Sequence, residues 1–410
     1  MQKDILNWLY FDLDCYFASI EQQLNTNLQG KPIIVVPMQH DAASAIAVSY
    51  DARKYGVKTG TKVYNAKKLC PEIICIQARP KVYVHYHHLI FAEIDKHLLV
   101  DHVFSIDEGA CRLTGTLQHE DNAIKIARTI QNSLKRTIGD IISCSIGIAS
   151  NKFIAKIASN IIKPNGVTVI HHQDIQNTLS KLELKDLPGI GSSTERRLIT
   201  QGVSSVSDLY EQKSPGDLER IFRSITGQRY FYLLRGVDLA TQETKKASIS
   251  QSKVLIEDEK TIQNARQVTM QLALKAAARL RYQNFTAGKV MLQINCPNKH
   301  TLKQSQKTPQ ASDSQTLSKA LLHCFDSLLQ NTKINIINKI SLTLTNLEEP
   351  TNQLSLIDLS SQKKKSKVSK ALDELNKKYG ANAISIGLTN LKKDVHDPIA
   401  FGHIPGKKEL

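Results

Sequence analysis

Apolar runs of strand length alternate with helical stretches along the first 170 residues of the chain. The runs fall within residues 1–14, 33–36, 45–48, 141–148 and 167–170. The segments between them carry the wider spacing of apolar positions that is typical of helices. This alternation predicts a sheet domain of mixed helices and strands, in the α+β class.

The rest of the chain divides into two further regions. Residues 170–236 have the pattern of small helices, whereas residues 248–347 combine strands, such as 290–294, with helices, such as 265–281. A polar link at 237–247 separates the two regions. A Lys-rich stretch at 362–370 introduces a tail, in which we expect a small helix from residue 371 and a loose end. The length of 410 residues is enough for several domains.

The net charge of the chain indicates what kind of partner it binds. The formal net charge of +16 and the pI of about 9.4 indicate a polyanion, either nucleic acid or an anionic membrane. No apolar run reaches the length of a membrane span, and no signal peptide opens the chain. The seven cysteines show no metal-ligand spacing, which is typical of reduced thiols, and a cytoplasmic protein is expected.

Three carboxylates stand in apolar surroundings. Asp12 lies in LYFDLD at 9–14, and Asp107 and Glu108 lie in FSIDE at 104–108; both segments have the composition of strands. A buried carboxylate needs a positive partner, and neither segment carries a Lys or Arg. We therefore expect a pair of divalent cations. Mg²⁺ prefers carboxylate oxygens and keeps positions open for substrate phosphates, and two ions about 3.5–4 Å apart can align a displacement at phosphorus.

Simpler interpretations stand beside the functional ones for several polar residues. The acids could be helix caps or surface turn residues, and Asp14, just before a helical run from Cys15, is predicted to be an N-cap. The His-Tyr-His-His run at 85–88 could suggest a metal, but we expect it to form a helix face beside a basic surface.

Candidate phosphate contacts occur in two segments. Tyr50 and Arg53 are one helical turn apart and share a face, so a guanidinium and a phenol hydroxyl could hold a triphosphate together. Lys163 stands at the mouth of the turn Lys163-Pro164-Asn165-Gly166, after a helix predicted at 152–160. Taken singly, Arg53 and Lys163 are ordinary surface charges. Together with three carboxylates they indicate a nucleotidyl-transfer site.

A glycine pattern indicates a further phosphate contact. Gly189 and Gly191 in LPGIG at 187–191 precede a helical pattern at 194–199. Glycines at a helix start let backbone N–H groups approach a phosphate closely. The alternative is an ordinary turn between helices.

Several of these segments resemble, in order and at similar spacing, the motifs of the Y-family translesion DNA polymerases, and most of all the bacterial DNA polymerase IV branch. The segments are FDLDCYFASIE at 11–21, YDARKYGV at 50–57, SIDE at 105–108, AKIAS at 155–159 and KPNG at 163–166. Several ordered motifs in one chain are far more specific than any one alone. The resemblance covers roughly residues 5–350.

The resemblance implies a multidomain α+β protein with the architecture of a right hand. A palm is expected at 1–14 and 80–169, fingers at 15–79 and a helical thumb with a helix-hairpin-helix motif at 170–236. The linker at 237–247 would lead to an α/β little finger at 248–347, and a tail at 348–410 would follow. The little finger would lie along duplex DNA through the side chains of Lys253, Lys289, Lys303, Arg266, Arg279 and Arg281.

The resemblance also implies roles for the site residues. Asp12, Asp107 and Glu108, with the carbonyl of Leu13, would hold two Mg²⁺. The residues expected to bind the incoming nucleotide are Tyr16, Phe17, Tyr50, Arg53 and Lys163. Phe17 would be the steric gate, an aromatic ring that leaves no room for a ribose 2′-hydroxyl; its alternative is plain core packing. Gly189 and Gly191 would contact a DNA phosphate.

The reaction implied is the addition of deoxynucleoside triphosphates to the 3′ end of a primer on a template. Low fidelity is expected, and no acid cluster remains for proofreading, so none is expected. The partners would be primer–template DNA and deoxynucleoside triphosphates. A monomer with no membrane contact is expected.

A short peptide after the little finger indicates one more candidate partner. Gln353, Leu354, Leu356 and Ile357 in QLSLI resemble the Gln-Leu-x-Leu-Phe peptide by which bacterial polymerases dock on the sliding clamp. Ile357 stands where Phe is common, so the apolar anchor is smaller.

Two departures from the family pattern bear on activity. The family continues Ala-aromatic-Leu-Asp after the paired acids, whereas this chain has Gly109-Ala110-Cys111-Arg112. Arg112 could brace an acid or compete with a metal. Ala47 replaces a hydroxyl residue that often donates to the triphosphate; one such hydrogen bond is worth roughly 0.5–1.5 kcal/mol.

Three functions of different classes remain open on the sequence. The first is an active translesion polymerase. The second is a catalytically weak accessory protein that binds DNA and the clamp, which the run from Gly109 to Arg112 favours. The third is another metal-dependent phosphoryl enzyme, such as a cyclase or nuclease, which the thumb pattern and the basic second region disfavour.

Overall fold

The computed structural model describes residues 5–212, 214–240, 245–297, 300–330, 334–350, 359–379 and 383–384. The described residues form two compact units, the first ending at residue 240 and the second beginning at residue 245. The division falls inside the polar link of the sequence, which offers few apolar side chains to a core.

Strands and helices alternate through the first unit, which confirms the α+β class. Its strands are β1 (Trp8–Leu13), β2 (Ile33–Val36), β3 (Ala47–Val48), β4 (Ile74–Gln77), β5 (His102–Val103), β6 (Glu108–Arg112), β7 (Cys144–Ala149) and β8 (Val167–Ile170). Its helices are α1 (Tyr16–Leu24), α2 (Tyr50–Arg53), α3 (Val63–Leu69), α4 (Pro80–Asp95), α5 (Glu120–Thr137), α6 (Lys152–Ile161), α7 (Ile175–Leu179), α8 (Ser192–Thr200), α9 (Val206–Tyr210), α10 (Pro215–Phe222) and α11 (Ile225–Leu234).

The larger sheet has the strand order β5-β6-β1-β7-β8 and places β1 at its centre. Successive side chains of a strand point to opposite faces. Leu9, Phe11 and Leu13 therefore enter the core that contains α4 and α5, whereas Trp8 and Tyr10 enter the core that contains α6. With both faces covered, every residue of β1 is buried, and Asp12 is carried into the interior with its strand.

The segment at 104–108 is a hairpin rather than the predicted strand. The backbone N–H groups of Phe104 and Ser105 both donate to the carbonyl of Glu108, at 3.0 and 3.3 Å, which turns the chain between β5 and β6. Asp107 thus lies on the turn, and Glu108 opens β6. Because β1 and β6 are antiparallel with Asp12 opposite Glu108, the three acids meet at one end of the sheet.

A smaller sheet in the first unit has the order β3-β2-β4. The strand predicted at 45–48 is shorter, because Ala45 leaves the sheet to exchange hydrogen bonds with Gly60 and Thr61 at 2.8 and 2.9 Å. β3 then leads directly into α2, and this places Tyr50 and Arg53 at the edge of the sheet.

The second unit is a sheet with helices on one face. Its strands are β9 (Ser248–Val254), β10 (Thr286–Asn295), β11 (Thr301–Ala311) and β12 (Lys339–Glu348), in the order β11-β10-β12-β9. Its helices are α12 (Ile262–Tyr282), α13 (Ser314–Gln330) and α14 (Leu359–Tyr379). β10 and β12 bury alternate residues against α12 and α13.

Two expectations for the second unit need correction. The helix expected from residue 371 begins earlier, at Leu359, and α14 includes the Lys-rich stretch, since 359–379 contains neither Gly nor Pro. Arg281, expected to face DNA, is instead buried and forms a bidentate pair with Asp373 of α14, at 2.6 and 2.7 Å. Lys253 and Arg266 are likewise held in ion pairs within the unit, with Glu259 and Asp326.

Candidate active site

A cleft of about 140 Å³ at the end of β1 collects residues that are far apart in the sequence. Within the first unit it is lined by parts of β1, α1, β3 and α2, by the β5–β6 hairpin and by the turn after α6. The predicted site residues among its lining are Asp12, Leu13, Tyr16, Phe17, Tyr50, Arg53, Asp107 and Lys163.

Asp12 is 8% exposed and is held by two lysines. One carboxylate oxygen accepts a hydrogen bond from the ammonium of Lys163, and the other lies 3.8 Å from the ammonium of Lys156. Burial raises the pKa of Asp12 to about 6, although the charge of Lys163 acts in the opposite direction.

Glu108 is bound from both sides. Its Oε1 accepts from the ammonium of Lys156 and its Oε2 from the Tyr10 hydroxyl, at 2.8 Å in the second case. Burial alone would raise the pKa of Glu108, but the charge and hydrogen bond of Lys156 hold that pKa below its usual value. The lysine ammonium also lies over the Tyr10 ring, 5.0 Å from its centroid.

Neither acidic segment carries a Lys or Arg of its own, but the fold supplies Lys156 and Lys163 from α6 and the turn after it. Sequence reasoning missed Lys156. Its signal was present, since Lys156 interrupts the apolar run Phe153-Ile154-Ala155-Lys156-Ile157-Ala158. A lysine on the buried face of a helix needs an acidic partner.

No lysine among the described residues donates a hydrogen bond to Asp107. Its carboxylate instead accepts from the Ser105 hydroxyl at 2.5 Å. Its backbone carbonyl accepts from the N–H of Leu13 at 2.9 Å, which ties the hairpin to the end of β1. Burial raises the pKa of Asp107 above its usual value. The carboxylate is therefore fixed in place but short of positive charge.

Within the described part of the chain, no three His, Cys, Asp or Glu side chains are arranged around one point at metal-binding distances. The donors nevertheless fit a hard divalent cation. Asp12, Asp107 and Leu13 line one cleft, and the raised pKa values of both acids show that the positive charge of the protein leaves them incompletely compensated. Oxygen donors of this kind suit Mg²⁺.

Tyr50 and Arg53 lie together on α2 as their spacing predicts. The Arg53 guanidinium lies over the Tyr50 ring, 5.2 Å from its centroid, and the Arg53 side chain is exposed to the cleft. The Tyr50 hydroxyl donates to Asp14 at 3.2 Å. The short helix is fixed at its start by the Ser49 hydroxyl, which accepts from the N–H of Ala52.

Asp14 is not an N-cap, and that prediction was wrong. α1 begins at Tyr16, and the capping position belongs to Cys15, which has a positive φ of 48° and no side-chain cap. The Asp14 carboxylate is buried and accepts from the hydroxyls of Ser143 and Ser145, at 2.9 and 2.8 Å.

The same carboxylate also accepts from the backbone N–H of Asn165, at 2.9 Å. Asp14 thereby joins β1 to three other parts of the cleft: Tyr50 on α2, the start of β7, and the turn that carries Lys163. Because this one acid accepts four hydrogen bonds, it fixes the distance between α2 and the 163–166 turn, the two segments that carry the predicted triphosphate contacts.

Phe17 forms one wall of the cleft. It is 4% exposed, and its ring stacks on Tyr83 with centroids 4.5 Å apart and planes at 25°. Tyr16 lines the same cleft, with its hydroxyl donating to the carbonyl of Tyr83 at 2.7 Å. The Tyr83 hydroxyl in turn donates to Glu21 at 2.8 Å, so the wall is held by α4 and cannot easily retreat.

Arg112 neither braces an acid nor competes for a metal. β1 and β6 pair Asp12 with Glu108 and Trp8 with Arg112, which places Arg112 at the opposite end of both strands from the acids. Its guanidinium lies 5.2 Å from the Trp8 ring centroid and 3.3 Å from the Asp238 carboxylate. Arg112 therefore leaves the acid cluster untouched.

The predicted DNA contact at the glycine pattern lies at the start of α8. Gly189 has a φ of +90°, and a Cβ there would lie 2.9 Å from the Tyr230 hydroxyl, so glycine is required. Gly191 is the N-cap of α8, with open space where a side chain would be. Gln353, Leu354, Leu356 and Ile357 lie outside the described residues.

Family models match most of the chain. Residues 11–160 match the impB/mucB/samB family, and residues 246–356 match the C-terminal domain of that family. Residues 185–238 match the thumb domain of DNA polymerase iota. The first match contains every residue of the carboxylate cluster.

Curated relatives extend the likeness to whole chains. DNA polymerase IV of Shewanella frigidimarina is 30% identical over 278 residues, which cover 67% of this chain and 76% of the relative. The chain belongs to the Y family of DNA polymerases. DNA polymerase IV of Bacillus velezensis is 27% identical over 391 residues, covering 94% of this chain and 93% of the relative. The activity is that of a DNA-directed DNA polymerase of the translesion type, and the accessory alternative is not favoured.

Solved structures of Y-family polymerases share the fold. A chimera of the Y-family polymerases Dbh and Dpo4 has a TM-score of 0.71 at 24% identity, covering 84% of this chain and 100% of the chimera. An insertion ternary complex of Dbh DNA polymerase has a TM-score of 0.56 at 25% identity, with the same coverage. The family also implies dependence on a divalent metal. Among the described helices of this polymerase, none is long and apolar enough to cross a membrane.

Proposed function

We propose that the cleft of the first unit adds deoxynucleotides to a primer 3′ end, with two Mg²⁺ held by Asp12, Asp107, Glu108 and the Leu13 carbonyl. The observation that carries this proposal is the cleft itself, in which Asp12 and Asp107 share one lining with Tyr50, Arg53 and Lys163, while Glu108 lies opposite Asp12 on β6. Acids in the same cleft as groups that can bind a triphosphate are what nucleotidyl transfer requires.

In the proposed reaction the primer 3′-oxygen forms a bond to the α-phosphorus of the incoming nucleotide, and the bond to pyrophosphate breaks. The cations, when bound, would lower the pKa of the primer hydroxyl and neutralise charge on the leaving group. Arg53 and Lys163 bind the triphosphate oxygens, and the Tyr50 hydroxyl orients them. Lys163 serves both the acid and the triphosphate, since its ammonium binds Asp12 and its side chain lines the cleft.

Phe17 selects the sugar in this proposal. Its ring, fixed against Tyr83, lies under the sugar of the incoming nucleotide and overlaps a ribose 2′-hydroxyl. Tyr16 packs beside it, 5.4 Å between ring centroids, and shapes the same wall.

The domain roles follow the family pattern. We assign the palm to 1–14 and 80–169, the fingers to 15–79, the thumb to 170–236 and the little finger to 248–347. Primer–template DNA would contact N–H groups near Gly189 and Gly191 and the exposed lysines of the second unit, and the net charge of +16 supports a polyanion of this kind.

Arg53→Gln tests the triphosphate assignment. We expect the KM for the complementary deoxynucleotide to rise about 10- to 100-fold, because a hydrogen bond to a charged group is worth roughly 1.5–3 kcal/mol. The dissociation constant for primer–template should stay within twofold of the parent. Single-nucleotide kinetics on a labelled primer measure both.

Lys54→Gln is the matched control for Arg53→Gln. Lys54 is the next cation on the chain, but its ammonium pairs with Asp51 at 2.8 Å and its side chain is 73% exposed. It should keep the parental KM. An equal rise in KM for the two variants would indicate a general charge effect and reject Arg53 as a specific contact.

We also propose that residues 353–357 dock on a sliding clamp. Gln353→Ala with Leu356→Ala should abolish stimulation of synthesis by the clamp and leave distributive synthesis unchanged. Ser355→Ala, at the unconstrained position of the peptide, should respond to the clamp as the parent does. If the parent gains nothing from its cognate clamp in primer extension, the docking proposal fails.

A further inference from the structure

One residue of the His-Tyr-His-His run at 85–88 packs against the β5–β6 hairpin, which carries Asp107. His87 is buried on α4, and its Nδ1 lies 2.8 Å from the carbonyl oxygen of Ile106, the residue before Asp107. A carbonyl can only accept, so Nδ1 carries the proton and donates. Burial lowers the pKa of His87 to about 4, which keeps the ring neutral at pH 7. His87 is therefore a fixed neutral donor, and among the described residues it belongs to no metal-binding cluster.

An aromatic stack extends from His87 to the strand that carries Asp12. The His87 and Phe91 rings have centroids 4.0 Å apart, and Phe91 meets Phe11 edge to face at 5.1 Å. Phe11 is the residue before Asp12. The stack therefore contains Phe11, the residue before Asp12, and contacts the carbonyl of Ile106, the residue before Asp107.

Gly109 is fitted to this stack. It lies opposite Phe11 in the β1–β6 register, and a Cβ at position 109 would stand 2.4 Å from Cζ and 2.9 Å from Cε1 of the Phe11 ring. No real side chain tolerates such contacts with a buried ring. Glycine at 109 is thus the complement of phenylalanine at 11, which gives that departure a packing reason.

We propose that His87 is a positioning residue for Asp107, and that the Phe91–Phe11 stack, with Gly109 fitted against it, sets the relative placement of Asp107 and Asp12. The proposal rests on the assignment of these acids to metal binding and deepens it. Glycine next to Glu108 gives the hairpin backbone more freedom than alanine would. The hydrogen bond from His87 restricts that freedom from the opposite side of the hairpin.

The test compares variants that separate the hydrogen bond from the ring. His87→Phe keeps an aromatic ring against Phe91 but removes the donor. His87→Asn restores an amide donor at the position of Nδ1. His85→Phe is the matched control, since His85 is exposed on the same helix.

For His87→Phe we expect kcat to fall about 10- to 100-fold, in line with the cost of a displacement of up to 1 Å at a catalytic group. The half-saturating Mg²⁺ concentration should rise several-fold, while the deoxynucleotide KM and the primer–template affinity stay within twofold. His87→Asn should recover most of both losses, and His85→Phe should match the parent. A folded His87→Phe with parental kcat and Mg²⁺ dependence would overturn the proposal, as would failure of the Asn variant to rescue.

Hydrogen exchange provides a readout that needs no turnover. The N–H groups of Leu13, Phe104 and Ser105 donate to the carbonyls of Asp107 and Glu108. They should exchange faster in His87→Phe than in the parent, and unchanged exchange would contradict the proposal. An inactive parent would reject the proposed function alone, because this measurement still reports on the His87 contact.

Gly109→Ala tests the fit independently of His87. Gly109→Ala alone should lower kcat and raise the half-saturating Mg²⁺ concentration. Phe11→Leu should recover part of both changes in the double variant, because the shorter side chain makes room for the methyl group but no longer stacks on Phe91. A harmless Gly109→Ala would overturn the packing argument, and so would a double variant no better than the single one.

Discussion

Asp107→Ala should reduce single-nucleotide addition by at least about 10³-fold. Asp107 is an acid of the cleft whose carboxylate accepts a hydrogen bond from the Ser105 hydroxyl and none from a described lysine, and burial raises its pKa, so its ionised form depends on a bound cation. Loss of several kcal/mol of charge stabilisation corresponds to a rate factor of this size. Rapid-quench measurement of one nucleotide addition at saturating deoxynucleotide gives the value.

Binding of primer–template should be nearly unchanged in the same variant. The acid contributes no positive charge, and non-specific affinity for DNA comes from Lys and Arg contacts to phosphates. Asp140→Ala is a matched control, because Asp140 is an acid of the first unit with an 81% exposed side chain. Addition by Asp107→Ala at more than a tenth of the parental rate would reject Asp107 as a metal ligand.

Phe17→Ala should lower discrimination against ribonucleotides by roughly 5- to 150-fold. Overlap with a well-packed wall costs about 1–3 kcal/mol, and removal of the ring abolishes that cost. The wall is rigid because Phe17 stacks on Tyr83, which is itself anchored to Glu21. The ratio of kcat/KM for a ribonucleotide and its deoxynucleotide measures the effect.

Two further variants separate the gate from general damage. Phe17→Leu should give an intermediate ratio, since it keeps part of the side-chain volume and less of the core packing is lost. Tyr83→Phe removes the hydrogen bond to Glu21 but keeps the stack, so it should change the ratio less than Phe17→Leu does. If all three variants lose activity toward both nucleotides with an unchanged ratio, Phe17 is core packing and not the gate.

Sequence patterns within a few residues predicted the parts of the site that lie on a single element. β1 with Asp12, and the shared face of Tyr50 and Arg53, follow from periodicity within a few residues. The 163–166 turn follows from its own residues. The thumb helix after Gly191 was expected two residues later than it begins.

Contacts between residues far apart in the sequence could not be predicted from local patterns. Lys156 meets Glu108 across 48 residues, and Lys163 meets Asp12 across 151. The strand register that brings these groups together cannot be derived from local sequence patterns. The contacts of Lys156 and Lys163 with the acids were therefore missed.

Asp14 shows how a correct local rule can give a wrong result. An acid just before a helical run is a common N-cap. Here the Asp14 side chain turns away from α1 toward β7 and the 163–166 turn, because two serine hydroxyls and a backbone N–H there are otherwise buried without an acceptor.

The most direct test of the proposed site is template-directed addition of one nucleotide by the parent protein. A labelled primer–template is incubated with each deoxynucleoside triphosphate separately, in Mg²⁺ and after chelation, and DNA binding is measured in the same samples. We predict addition of the complementary nucleotide in Mg²⁺ and none after chelation, with DNA bound in both. Bound DNA without addition in Mg²⁺ would contradict the assignment of this cleft as a nucleotidyl-transfer site.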